Sequence, residues 1–171
     1  MQSDSMKDDL RNCGCGCDCD CDCNCGCNCG PVPSVSALNS VNVATQTVAS
    51  QGLVLFNLNR VSVGCSINHT PSTGVFSLAG PGVYQVSFSA VVAIPAATPI
   101  TTISLVYNLD GREIPGTELS VTPSAAGEVH TVATTSVIEV LKNMTSVLMI
   151  VNNGTNPVEI SQANVSIIKL G

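Results

Sequence analysis

"TGVFSLAGPGVYQVSFSAVVA", residues 73–93, decides the fold. In its second half Tyr84, Val86, Phe88, Ala90 and Val92 occupy alternate positions, with Gln85, Ser87 and Ser89 between them. Successive side chains of an extended strand point to opposite faces, so this spacing buries one face and leaves the other polar. The "AGPG" at residues 79–82 supplies turn chemistry ahead of that strand.

The same alternation continues on either side. Val61, Val63, Cys65 and Ile67 share one face of a predicted strand, as do Ile103, Leu105, Tyr107 and Leu109. "NHTPSTG", "LDGREIPG" and "NNGTNP" separate such runs. From about Asn42 to Gly171 the chain is rich in Val, Ile, Thr and Ser, with turn residues roughly every 8–12 positions, an all-β signature. One segment competes: Val137, Val140, Leu141, Met144, Val147, Leu148 and Val151 fall at helical spacing. Its β-branched content and the turn-like "KNMT" favour two strands instead. Val147–Val151 has no polar face and needs cover on both sides, which hints at oligomerisation.

Upstream the composition changes abruptly. "PVPSVSALNS" reads as a Pro/Ser linker, preceded by "CGCGCDCDCDCNCGCNCG" from Cys13 to Gly30. The expected organisation is a polar segment 1–12, an alternating Cys tail 13–30, a linker 31–41 and a head 42–171. Hydrophobic residues make up 44% of the 171 residues and charged residues only 11%. In residues 1–30 six acids face Lys7 and Arg11, so −4 of the formal −6 sits on the tail. No basic patch suggests nucleic acid, and the aromatic residues number five. "MQSDSMKDDLRN" lacks the apolar region of a secretory signal, and no run approaches the ~18 apolar residues of a membrane span. Synthesis in a cytoplasm is expected.

Gly74, Phe76, Gly82, Tyr84, Val86 and Phe88 match the signature of the tumour necrosis factor and complement-type globular heads. "ISLVYNLDGREIPGTELS" resembles that family's central strand–turn–strand, and "EISQANVSIIKLG" its closing strand. The aliphatic, aromatic-poor style is most similar to the C-terminal domain of BclA-type glycoproteins of bacterial spore surfaces. The resemblance implies a jelly-roll sandwich of about ten antiparallel strands, assembled as a homotrimer, that serves as a structural head or binding module and is no enzyme. The stalk of BclA-type proteins is missing, with the Cys tail in its place. No carboxylate cluster matches the calcium loops of some family heads, so no cofactor or metal is carried over. Leu148, Ile150, Ile168 and Leu170 are candidates for the trimer interface.

The nine tail cysteines, Cys13, Cys15, Cys17, Cys19, Cys21, Cys23, Cys25, Cys27 and Cys29, would line one edge of an extended ribbon roughly 50–55 Å long. Neighbours on one ribbon would lie roughly 6.6 Å apart between Cα atoms, near the upper limit for a relaxed disulfide. Opposed residues on paired strands lie about 4.5–5.5 Å apart, so cross-links between ribbons are favoured. Nine is odd, and a lone ribbon cannot pair all its thiols. The alternatives are metallothionein-like metal binding by the same cysteines or a low-complexity tail without structure. Asp18, Asp20 and Asp22 weigh against the former, because they would repel an anionic thiolate cluster.

Elsewhere, ordinary readings prevail. Cys65 is expected as a buried, inert thiol on its strand face, and His69 and His130 as isolated surface or loop histidines. Asn68, Asn143, Asn153 and Asn164 begin N-x-S/T triplets that a Ser/Thr-rich chain produces by chance. Asp110, Arg112 and Glu113 are expected to keep a turn solvated. No motif for catalysis or phosphate binding is present. The expected function is a trimeric head on a spore surface (exosporium, coat or appendage), made in the mother-cell cytoplasm without a signal peptide. Its Cys tail would bind it to other spore-surface or filament proteins, with neither nucleic acid nor membrane as partner. The rival readings are a receptor-binding fibre tip and a thiolate metal store.

Overall fold

The computed structural model describes residues 35–141 and 145–171. Twelve β-strands and no helix occur among them: β1 Ala37–Asn42, β2 Gln46–Val48, β3 Leu58–Val63, β4 Ile67–His69, β5 Val75–Ala79, β6 Gly82–Ala93, β7 Ile103–Leu109, β8 Arg112–Glu113, β9 Leu119–Val121, β10 His130–Val140, β11 Thr145–Asn152 and β12 Val158–Lys169. The first sheet runs β10–β6–β12–β1–β3, with β2 also against β12. The second runs β4–β5–β11–β7–β8, with β9 also against β7. All pairings are antiparallel. The excess over the expected ten or so comes from very short strands such as β8.

The alternation read in the sequence becomes the core. Tyr84, Val86, Phe88, Ala90 and Val92 of β6 are buried, as are Ile103, Leu105 and Tyr107 of β7, with Leu109 packed against them. Between the sheets Phe56 meets Phe76 at 5.3 Å and Phe88 at 6.4 Å, both edge to face, the preferred aromatic geometry. In β12 the buried positions change phase: Val158 and Ile160 precede Ala163, Val165 and Ile167. A bulge between Ser161 and Asn164, with Gln162 at φ 52, takes up the extra residue. Both halves of the strand therefore face the core.

Three expectations change and one, two strands in place of a helix, holds. Residues 37–41, read as linker, belong to β1, which lies inside the first sheet between β12 and β3. Ser36 and Leu38 are buried, so the head begins before Asn42. Val61 through Ile67 is not one strand, because Gly64 at φ 76 breaks it into β3 and β4. An added Cβ at Gly64 would lie 2.3 Å from Ser36 Oγ, so both its conformation and the close approach demand glycine. The segment with helical spacing forms β10 and β11, and residues 142–144 of the expected "KNMT" turn lie outside the described residues. Finally, Val147–Val151 finds most of its cover within the chain. Leu148 and Ile150 point into the core, Val151 is covered, and Val147 and Met149 are half-buried. Leu53 bridges Val151, and Val54 N–H donates to the Ile150 carbonyl at 2.9 Å.

Candidate functional site

Register aligns the outward side chains of the first sheet into rows across five strands. Val137, Gln85, Ile168, Ala37 and Val63 form one row. Thr135, Ser87, Ser166, Asn39 and Val61 form the next, and Ala133, Ser89, Asn164, Val41 and Leu58 a third. No position in the three rows carries an ionisable group. The polar members satisfy one another: Ser87 Oγ and Thr135 Oγ1 are 2.9 Å apart, and Asn39 Nδ2 donates to Asn164 Oδ1 at 2.7 Å. Of the apolar members, Val137 is 63%, Leu58 56%, Val63 52% and Ile168 39% exposed, while Val41 is covered.

This concentration is specific to one sheet. Of the twelve large hydrophobic residues most exposed among the described residues, ten lie on first-sheet strands or within two residues of their ends. None lies on a strand of the second sheet. A broad, uncharged face rimmed by Glu139 is the composition of a surface that a protein partner covers.

The interface candidates divide accordingly. Leu148 and Ile150 are both 0% exposed in the single chain and have no surface to give a neighbour, so they leave the set. Ile168 lies on the open face and Leu170 just beyond its strand, both exposed. Val137, Val61, Val63 and Leu58 share that exposed face but were not among the candidates. Cys13, Cys15, Cys17, Cys19, Cys21, Cys23, Cys25, Cys27 and Cys29 lie outside the described residues.

His69 is half-buried rather than an isolated surface residue, stacked on Phe76 at a centroid separation of 4.4 Å. Ser40 Oγ stands 3.4 Å from His69 Nδ1, a Ser–His contact that sequence spacing did not reveal. It is not a catalytic pair. Asn59 Oδ1 crowds the same nitrogen at 2.7 Å, and Thr73 O occupies Nε2 at 3.1 Å. A nucleophile and an orienting group must engage opposite ring nitrogens, and here they share one. Ser40 is also fully buried and donates to the Leu58 carbonyl at 3.1 Å, so no substrate reaches it.

Burial holds the His69 pKa below 6.5, and the hydrogen bond to Thr73 opposes this only in part. The unfolded chain therefore takes up a proton near pH 6.5 before the folded one does, and folding stability falls as pH drops below that value. Thermal unfolding midpoints measured from about pH 8 down to about pH 5 should fall on the acid side, and His69→Gln should flatten that fall. An unchanged profile in the variant would remove His69 as the cause.

His130 opens β10 with Nε2 3.2 Å from Glu128 Oε1. Asp110 does more than solvate its turn: Val147 N–H donates to its Oδ1 at 2.7 Å, tying the β7–β8 hairpin to β11. Arg112 and Glu113 are exposed. Cys65, expected inside, is exposed on the turn after Gly64. Among the described residues no three His, Cys, Asp or Glu side chains converge as a metal site. All five aromatic residues lie in the interior, leaving no aromatic platform for stacking sugars.

The chain matches no protein-family model, and no curated protein matches its sequence. Solved structures do resemble it. Murine APRIL at pH 5.0 superposes with a TM-score of 0.61 at 12% identity, covering 80% of this chain and 99% of that one. The globular domain of zebrafish complement 1qA gives 0.58 at 15% identity, with 79% and 95% covered. Eiger TNF from S. frugiperda gives 0.60 at 11% identity, with 81% and 94% covered. The described residues thus form a TNF-like jelly roll, the fold of the TNF and C1q globular heads.

Proposed function

We propose that the protein is a structural, homotrimeric head of a bacterial spore surface layer or appendage, fixed there by disulfides of its Cys tail. The observation that carries this reading is the uncharged apolar face of the first sheet, joined in one chain to nine alternating thiols. A second copy of the chain is the natural occupant of that face. It would cover Val137, Ile168, Val61, Val63 and Leu58 while meeting no charge that needs a partner. The location is suggested by the resemblance of the aliphatic, aromatic-poor sequence to the heads of BclA-type spore proteins. Spore outer layers are built inside the mother cell and oxidised after its lysis, which suits a thiol-rich chain. The buried aromatic residues weigh against a sugar-binding fibre tip.

Two measurements test this. Electron microscopy of spores with an antibody against the head should label the exterior, and absence of label there would refute the location. Light scattering of residues 35–171 should give the mass of three chains. The double variant Val137→Asp, Ile168→Asp should give the mass of one. Both side chains already face solvent in the single chain, while a charge buried unpaired in an interface costs ~2–5 kcal/mol. A variant that remains trimeric would remove this face as the interface.

A further inference from the structure

We infer that the free edge of β3 is a docking site for an extended segment of another protein. That segment pairs with β3 as an added strand, is apolar at alternate positions and carries an acid where it passes Arg60.

A strand at the end of a sheet leaves half of its N–H and C=O groups without a ladder partner, and such an edge is a template for a further strand. β3 ends the first sheet, with β1 as its one neighbour. None of the backbone hydrogen bonds that loops make among the described residues reaches Leu58 through Val63. Five of the six residues of β3 are exposed, and Ser62 is one of them although it stands opposite Leu38, whose side chain is in the core. Opposed residues share a face, so β3 overhangs the second sheet and is open on both faces as well as along its edge. The other strands with a single neighbour differ. β2, β4, β8 and β9 are no longer than three residues. β10 is long but lies against β9 of the second sheet, and Tyr107 O–H donates to its Thr134 carbonyl at 3.4 Å.

The side chains of this edge define the partner. Leu58, Val61 and Val63 are large, apolar and exposed, so a strand laid beside them gains by carrying apolar side chains on the same face. Arg60 is the one charged residue of β3, and β1 has none. The ladder shifts register between Asn39 and Ser40, so Arg60 has no residue opposite it on β1 and stands at a bulge. Charge and bulge together deter a second copy of the same edge, because antiparallel self-pairing in full register would bring two Arg60 residues to adjacent positions. An acid in the incoming strand meets Arg60 favourably and so marks the partner. A copy of the chain on the outward face covers side chains, whereas the edge offers backbone groups in the plane of the sheet. Docking there does not depend on the trimer proposed above.

Binding of synthetic peptides to the full-length protein, kept reduced, tests this. The probe is a capped peptide about as long as β3 that alternates threonine and valine around a central glutamate. Fluorescence anisotropy of the labelled probe should show saturable binding, and amide hydrogen exchange should slow in Leu58 through Val63. Of two versions N-methylated on alternate residues, the one that loses the donors facing β3 should bind about tenfold more weakly, because several hydrogen bonds go with them. A version with lysine at its centre should bind about two- to fivefold more weakly, and Arg60→Glu, at an exposed position, should reverse that preference. Absence of saturation up to millimolar peptide, or exchange slowed elsewhere and not in β3, would overturn the site. Equal binding of both methylated versions would overturn main-chain pairing. A preference that Arg60→Glu leaves unchanged would overturn the acidic class of the partner.

Discussion

A chain shortened to begin at Asn42 is expected not to fold, whereas one beginning at Val35 keeps a folded head. The shorter chain lacks Leu38 and Val41, both buried, and truncating a buried aliphatic side chain typically costs about 2–5 kcal/mol. It also lacks a strand paired on both sides, at six positions with β12 and five with β3. Since β3 has no other sheet neighbour, it would lose its place as well. Whole domains have a stability of only about 5–15 kcal/mol, so these losses exceed any reserve. Circular dichroism and thermal unfolding of the two chains would decide. A cooperative transition in the shorter one would show β1 to be dispensable.

Deleting residues 13–29 is expected to abolish every disulfide-linked species of the oxidised protein larger than the dimer that exposed Cys65 alone allows, while leaving its head folded. The full-length chain, stripped of metals and mildly oxidised, should give species that survive boiling in detergent and collapse with reductant. The ladder is the source because directly opposed positions on paired ribbons approach the preferred disulfide separation, about 5.5–6 Å between Cα atoms, more closely than neighbours on one ribbon. Identical non-reducing gels for the two chains would refute the anchor. Elemental analysis of protein purified without air provides the complementary check. Several zinc or copper ions per chain would replace the anchor with a metal store, since thiolates held by such ions are unavailable for oxidation.

The central strands were legible because their alternation is uninterrupted: Tyr84 to Val92 and Ile103 to Tyr107 went to the core as read. β1 was hidden because its outward positions include Ala37 and Asn39 and its inward ones include Ser40, a pattern that looks like linker. Its burial is decided by the two strands beside it, not by its own hydrophobicity. Cys65 was misplaced because Gly64 was read as a strand interior, although glycine there marks a left-handed turn. Leu148 and Ile150 lie in a run apolar at every position, so the sequence does not show which of its residues face the core. In "SIIK" one of two adjacent isoleucines must face outward, and the register makes it Ile168. Val137 carried the same signal beside Ile138, but the competing helical spacing obscured it. The match of the three rows depends on register among five strands, which no single segment encodes.

The position of β1 also determines how the head bears mechanical load. A head held by its tail receives every pull through Val35 into a strand clamped between two others, not into an edge. An edge strand peeled from its end gives way one hydrogen bond at a time. A clamped strand drawn along its length must shear both ladders together. Its first residue, Ala37, is paired with Ile168 near the chain's end, so the load crosses directly from the first strand to the last. A pull on such a head would load its most securely held segment first, and the face to which Ala37, Asn39 and Val41 belong would keep its register until both ladders give way together.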